Sequence, residues 1–263
     1  MNTDDRIHLS DLNLAEYARE TTRWNTAGEI YEQNDLLLTR GTGNFPTTRV
    51  AIRLNSARDD AAVEAFDRIR QFYGEKKSSF SIHVRRHLDA ALEEICRQEN
   101  LIQISEAPGM AVDHPFEPQA VPPGYQLRHA TDVKGVSDFA WVTTQSYQSL
   151  GMPTSVGDSI FASPARLLRP YNDLVVAYES ERPVSAAMVL FSHGIAGLYW
   201  VGTVIDSRGK GLGETCVKEA TNEAFRRGAA LVVLQASKFG EPIYTRMGFK
   251  EITRYPWFAH FEK

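Results

Sequence analysis

The stretch that most constrains this chain is Arg208-Gly209-Lys210-Gly211-Leu212-Gly213, set between a strand-like run and a helix-like run. Ahead of it, Ile195 to Ile205 is rich in Val, Ile, Tyr, Trp and Thr, the residues that suit a pleated, half-buried surface. Behind it, Leu212, Cys216, Val217, Ala220, Ala224 and Phe225 recur at helical spacing, with Glu214, Lys218, Glu219 and Glu223 between them. Arg226-Arg227-Gly228 reads as the stop, with basic residues in the last turn and a glycine after it. Alternating glycines at a strand-to-helix turn leave backbone N–H groups bare at the positive end of the helix dipole. That arrangement suits a phosphate or pyrophosphate. The spacing excludes two nucleotide-binding motifs. A dinucleotide fingerprint, G-x-G-x-x-G, requires glycine where Glu214 stands, and Gly213 falls one residue early. A P-loop requires Gly-Lys followed by Ser or Thr, and Gly209-Lys210 is followed by Gly211.

A second segment narrows the reading. Leu231 to Gln235 is a short apolar run, as expected of a strand buried on both faces. It leads through Ala236-Ser237 to Gly240-Glu241-Pro242-Ile243-Tyr244-Thr245-Arg246-Met247-Gly248-Phe249, a short helix that carries a tyrosine and ends in Gly-Phe. The glycine loop resembles the Arg/Gln-x-x-Gly-x-Gly/Ala signature of the GCN5-related N-acetyltransferases (GNAT), with Arg208, Gly211 and Gly213 at its fixed positions. The Tyr-x-x-x-Gly-Phe segment resembles that family's closing signature. The two occur in the family's order, with a helix and a buried strand between them, and each is locally consistent with one architecture.

The resemblance implies an α/β fold of the acyl-CoA N-acyltransferase type, a mixed sheet flanked by helices. It also implies that acetyl-CoA is the cosubstrate, that no metal is needed, and that an amine attacks the thioester directly. Arg208, Gly209, Lys210, Gly211, Leu212, Gly213 and Glu214 would form the pyrophosphate loop. Val201 and Thr203, on the strand before it, match the residues that offer backbone groups to the pantetheine arm and the thioester. Ser237 follows the buried strand, where the family often has Asn and where ligands gather in α/β sheets. Tyr244 matches the tyrosine that protonates the departing thiolate; a phenol of pKa about 10 holds its proton at neutral pH. No carboxylate or histidine is marked as the base: Glu179 and His193 flank turns, and a water chain serves equally well. Tyr199 and Trp200 lie beside the site, but strand alternation sends one of them into the core. Acceptor pockets in this family are lined by the first two helices and their joining loop, here about Gln145 to Asp158. Ser149, Gly151, Met152, Pro153 and Thr154 carry no charge, so neither an acidic nor a basic acceptor is favoured. Two other readings stay open, a CoA-binding scaffold without catalysis and an acyltransferase using a longer acyl-CoA.

Composition sets outer bounds. The chain has 263 residues, enough for one large or two ordinary domains. A net charge of -4 gives no general pull toward nucleic acid or anionic lipid, so neither is expected as a partner. Acetyl-CoA and an amine-bearing small molecule or peptide are the expected partners, and a homodimer is an admissible assembly. No apolar run reaches the ~20 residues of a membrane helix, and Met1-Asn2-Thr3-Asp4-Asp5 does not open a signal peptide. Cys96 and Cys216 lie in helix-like segments and read as buried thiols in a reducing cytoplasm, the expected location.

Along the chain, residues 1–24 read as helix, Asp35–Thr39 and Thr48–Leu54 as strands, and Asp59–Phe72 as an amphipathic helix. Phe80–Val84, His87–Gln98 and Leu101–Ser105 read as strand, helix and strand. Five of the 12 prolines crowd between Ala107 and Gly124, an extended connector. Tyr125–His129 then reads as strand, Thr131 to about Leu150 and Ser155–Leu168 as helices, and Leu174–Tyr178 and Val184–Phe191 as strands. The expected layout is a first domain over 1–112, a linker over 113–124 and an acetyl-CoA-binding domain over 125–263. The first domain lacks the glycine-loop signature and resembles a degenerate second copy of the fold, as in tandem members of the family.

Overall fold

The computed structural model describes residues 1–55 and 61–262. In chain order the elements are α1 (Thr3–Arg23), β1 (Glu29–Gln33), β2 (Leu36–Arg40), β3 (Val50–Arg53), α2 (Ala61–Gly74), β4 (Phe80–His83), α3 (Ala90–Gln98), β5 (Ile102–Val112) and β6 (Tyr125–His129). There follow α4 (Val133–Gln148), α5 (Thr154–Ile160), β7 (Asn172–Glu179), β8 (Arg182–Ser192), β9 (Ile195–Thr203), α6 (Leu212–Arg226), β10 (Val232–Gln235), α7 (Glu241–Met247) and β11 (Lys250–His260). The expected mixed α/β architecture is present. The expected start of the second helix at Asp59 lies outside the described residues. Two compact units emerge, one of Met1–Met110 with Gln235–Lys263 and one of Ala111–Leu234.

In the first unit, α1 opens on a capping box. The Asn2 side chain accepts from the Asp5 N–H at 2.8 Å, and the Asp5 carboxylate accepts from the Asn2 N–H at 3.3 Å. The strands lie in the order β1-β2-β3-β4-β11-β5, so a strand from the C-terminal part is inserted beside β4. That pair is antiparallel, with Phe258 opposite Ile82. Alternation along β2 and β3 supplies two cores. Leu36, Leu38 and Ala51 join Phe66, Ile69, Leu92 and Phe258, while Leu37, Val50 and Ile52 join Leu14, Ala18 and Tyr255. β5 runs past the expected Ser105 to Val112 and takes Pro108 into the strand, where its carbonyl accepts from the Ala236 N–H at 2.9 Å. Residues 113–124 carry neither helix nor strand.

A polar network is buried in this unit. Arg85 grips Asp89 through Nε at 2.8 Å and Nη2 at 3.0 Å, and it donates to the carbonyls of Leu54 and Asn55 just beyond β3. Arg53, paired with Asp35 at 3.0 Å, reaches the same Asp89 at 3.6 Å. Asp89 is 1 % exposed, so removing its partner would strand a charge at a cost of about 3–5 kcal/mol. Nearby, Tyr255 donates to Asp11 at 2.8 Å, and His87 bridges Asp11 at 2.9 Å and Thr253 at 2.7 Å. These bonds tie α1 and the segment after β4 to β11.

In the second unit the order is β10-β9-β8-β7-β6. β6 to β9 are antiparallel, and β9 with β10 is parallel. Val184 to Leu190 of β8 are buried without a break, as a strand covered on both faces requires, and α4 and α6 both pack on β7, β8 and β9. The expected second helix divides: α5 stops at Ile160, and a 3-10 turn, Pro164–Leu167, follows. Among the described residues no helix is long and apolar enough to cross a membrane.

Candidate functional site

The glycine loop forms as the sequence requires. Gly209 and Gly211 have φ of 75° and 78°, a left-handed conformation that side-chain-bearing residues avoid, and a Cβ on either would meet open space. Gly211 is the N-cap of α6 and offers no side chain to the helix end. The N–H groups of Leu212, Gly213 and Glu214 are therefore the donors that a first helical turn leaves without an internal acceptor. At Gly213 the constraint is space, since a Cβ there would lie 3.2 Å from Thr203 Oγ1. Leu212 is buried and anchors the helix start, while Glu214 pairs with Lys218 at 2.9 Å.

Arg208 works inward. Its Nε donates to the Thr203 carbonyl at 3.0 Å and its Nη2 to the Ser146 carbonyl at 3.2 Å and to Ser149 Oγ. The guanidinium thus sits on the carbonyl end of α4, where the dipole favours a cation. The signature arginine fastens the loop to the end of a helix 62 residues back in the chain, so its partners were not readable from any local motif. Lys210, expected as part of the pyrophosphate loop, donates to the Tyr125 hydroxyl at 3.0 Å, which in turn donates to Glu179 at 2.9 Å. That hydroxyl, with Glu179, holds the lysine above its ordinary pKa.

The parallel pairing of β9 and β10 covers Ala196 with Val232 and Gly197 with Val233, at the beginning of both strands. β9 continues to Thr203 beyond that register. Thr203 uses its own amide, donating to Ser146 Oγ at 3.1 Å, so both of its backbone groups are engaged. Val201 stands in a bulge. Ala186 faces Gly202 and Met188 faces Tyr199, which leaves Trp200 and Val201 opposite the single residue Ala187. The bulge breaks alternation, so Tyr199 and Trp200 are both buried, at 8 % and 9 % exposed, where alternation led to one. Beside them α4 and α5 bound a groove of about 350 Å³ lined by Trp141, Thr144, Gln145, Thr154, Asp158 and Phe161.

Ser237 and Tyr244 belong to the first unit. Ser237 Oγ accepts from the Gly240 N–H at 3.1 Å and organises the turn into α7. Tyr244 is 9 % exposed and sits against Phe249 edge-to-face, with ring centroids 5.6 Å apart. Gly248 has φ of 102°, and the Phe249 N–H bonds the Tyr244 carbonyl at 3.0 Å. This is a Schellman stop, whose usual apolar contact joins the same two positions. Part of the Tyr-x-x-x-Gly-Phe pattern is therefore a way to end a helix.

A loop of this form, at an uncapped helix and after a bulged strand, has counterparts. Residues 158–260 match the model of the acetyltransferase (GNAT) domain. No curated protein matches the sequence. Among solved structures, a GCN5-related N-acetyltransferase from Kribbella flavida is 18% identical, with 93% of this chain and 94% of that one covered at a TM-score of 0.72. One from Sphaerobacter thermophilus is 16% identical, with 86% and 80% covered at 0.59. A tandem GNAT protein from the clavulanic acid biosynthesis pathway is 13% identical, with 99% and 96% covered at 0.61. Residues 158–260 are thus similar to the GNAT acetyltransferase domain, and the fold over nearly the whole chain is the one seen in these GCN5-related structures, a tandem GNAT protein included.

Proposed function

We propose that this protein is an N-acetyltransferase that moves an acetyl group from acetyl-CoA to a primary amine by direct attack. The observation that carries the proposal is the loop Arg208 to Gly213: two left-handed glycines at the uncapped start of α6, held to α4 by Arg208. Such a turn gives a pyrophosphate several N–H donors and the positive end of a helix dipole. Lys210 adds a positive charge at the loop. The GNAT family uses acetyl-CoA, which is why that thioester is the proposed donor.

The chemistry follows from the reactants. The amine lone pair attacks the thioester carbonyl carbon, the C–N bond forms, the C–S bond breaks, and CoA leaves as thiolate. The amine nitrogen loses a proton, for which a water chain is the proposed carrier, and the thiolate gains one. Tyr244 is proposed as that acid because it fills the family's tyrosine position. Holding amine and thioester together supplies much of the acceleration. The test is release of free CoA from acetyl-CoA across amines, amino acids, polyamines, aminoglycosides and peptides, repeated with longer acyl-CoAs. Turnover with at least one amine, fastest with the acetyl thioester, is expected. CoA binding without turnover of any amine would sink the reading.

A further inference from the structure

The bulge in β9 places Trp200 in a conformation that a tryptophan rarely adopts. Its φ is 51°, left-handed, with no glycine to make that easy. The ring it re-aims packs against Tyr147 at 5.2 Å and Phe161 at 5.0 Å between centroids. Phe161 meets Phe139 at 5.9 Å, so the indole lies in an aromatic nest between the end of α4 and the end of α5. Its Nε1 is fully buried and has no acceptor among the described residues. Native proteins seldom leave a buried donor so, and strain that persists without a local reward marks a functional position.

A second donor beside it also lacks a partner, on a side chain that is half-buried. Tyr147 lies on the last turn of α4, and its hydroxyl meets no hydrogen-bonding partner among the described residues. Its neighbour Ser146 is bonded to Thr203 on β9, so the pair of donors stands where α4 is fastened to the strand of the candidate site. Among the described residues no lysine or arginine stacks on either ring. Two neutral donors in an aromatic wall suit a neutral oxygen. A carboxylate would enter that wall with no cation on these rings to offset its lost hydration.

We infer that Trp200 Nε1 and the Tyr147 hydroxyl position the acceptor by donating to a neutral oxygen near its amine, so that the substrate class is amines bearing an amide, carbonyl or hydroxyl group. The inference rests on the acetyltransferase reading. It is tested in the same free-CoA assay with matched acceptors, phenethylamine, phenylalaninamide and phenylalanine, beside the wider panel. The best acceptors carry a neutral oxygen near the amine. Trp200→Phe, which keeps a ring and removes the donor, raises their KM about tenfold, as loss of one hydrogen bond does, with the acetyl-CoA KM unchanged. Tyr147→Phe acts in the same direction and leaves the packing intact, so it carries the test if the tryptophan variant does not fold. Amine KM values within about twofold of wild type in the folded variants overturn the inference while the enzymatic reading stands. Acceptors without such an oxygen used equally well, or a preference for the free carboxylate over the amide, overturn it too. If no amine in any series is turned over, the acetyltransferase reading itself has failed, and this one with it.

Discussion

Gly211 carries two demands at once, a left-handed backbone and an open approach to the first turn of α6. Gly211→Glu strains the first and blocks the second with a carboxylate. CoA affinity should fall by more than tenfold, about 1.4 kcal/mol, in calorimetric titration of folded variant. Unchanged affinity would remove the loop from the pyrophosphate assignment. Tyr244→Phe keeps the ring against Phe249 and removes the hydroxyl with its proton, so acetyl-CoA affinity should hold while kcat drops roughly 10²-fold. A kcat equal to wild type, with chemistry shown to be rate-limiting, would reduce Tyr244 to the packing it visibly does. At this scale the sequence announced the glycines, because glycine takes up their left-handed φ without the strain a Cβ brings. It was silent about Ser146, Ser149, Tyr147 and Trp200, whose roles come from partners distant in the chain and from a bulge that no local pattern marks. The two thiols are as expected: Cys96 and Cys216 are free and buried, and burial pushes each up to about 12.

Among the elements, the long periodic ones were legible and the exposed one was not. β1 escaped notice because Glu29–Gln33 points almost wholly to solvent and shows no apolar alternation. The Asn34-Asp35 turn, with φ of 49° and 77°, was its one available signal. The proline-rich stretch misled locally: Pro108 is inside β5, where its carbonyl still pairs although it has no N–H to give. β6, β7 and α6 meet at a titrating contact. His129 Nδ1 lies 2.8 Å from Asp173 and Nε2 3.4 Å from Glu219, and the hydrogen bond to Asp173, then the charge of both carboxylates, raises its pKa above the usual histidine value. A raised folded pKa means that this contribution to stability is complete below the unfolded value of about 6.5 and is lost as pH rises through the folded one. Asp173→Asn should therefore lower Tm by a few degrees near pH 5.5 and by much less near pH 9. An equal drop at both would show that the contact acts through packing alone.

For the whole chain, the contrast between the units is the ground for an expected CoA stoichiometry. The loop signature and its uncapped helix occur in the second unit, whereas at the ends of the parallel pair β3 and β4 the first unit has Arg85 locked to Asp89 and to the carbonyls of Leu54 and Asn55. One CoA per chain is the expected calorimetric stoichiometry, and a value near two would overturn the proposal that the first unit is a degenerate copy. The α/β alternation was legible in the sequence because each element obeys its own period. Where β11 goes was not, because strand pairing over most of a chain leaves no local trace. Its position has a consequence for biosynthesis. Tyr255 and Phe258 fill the two cores of the first unit, and β11 covers one edge of β4. A ribosome has made α1 to β4 long before it makes that strand, so the nascent first unit must wait with an open sheet edge and two unfilled cores. Chains ending at residue 234 should stay in that waiting state, protease-sensitive and prone to associate through β4, and supplying residues 235–263 as a separate peptide should restore protection.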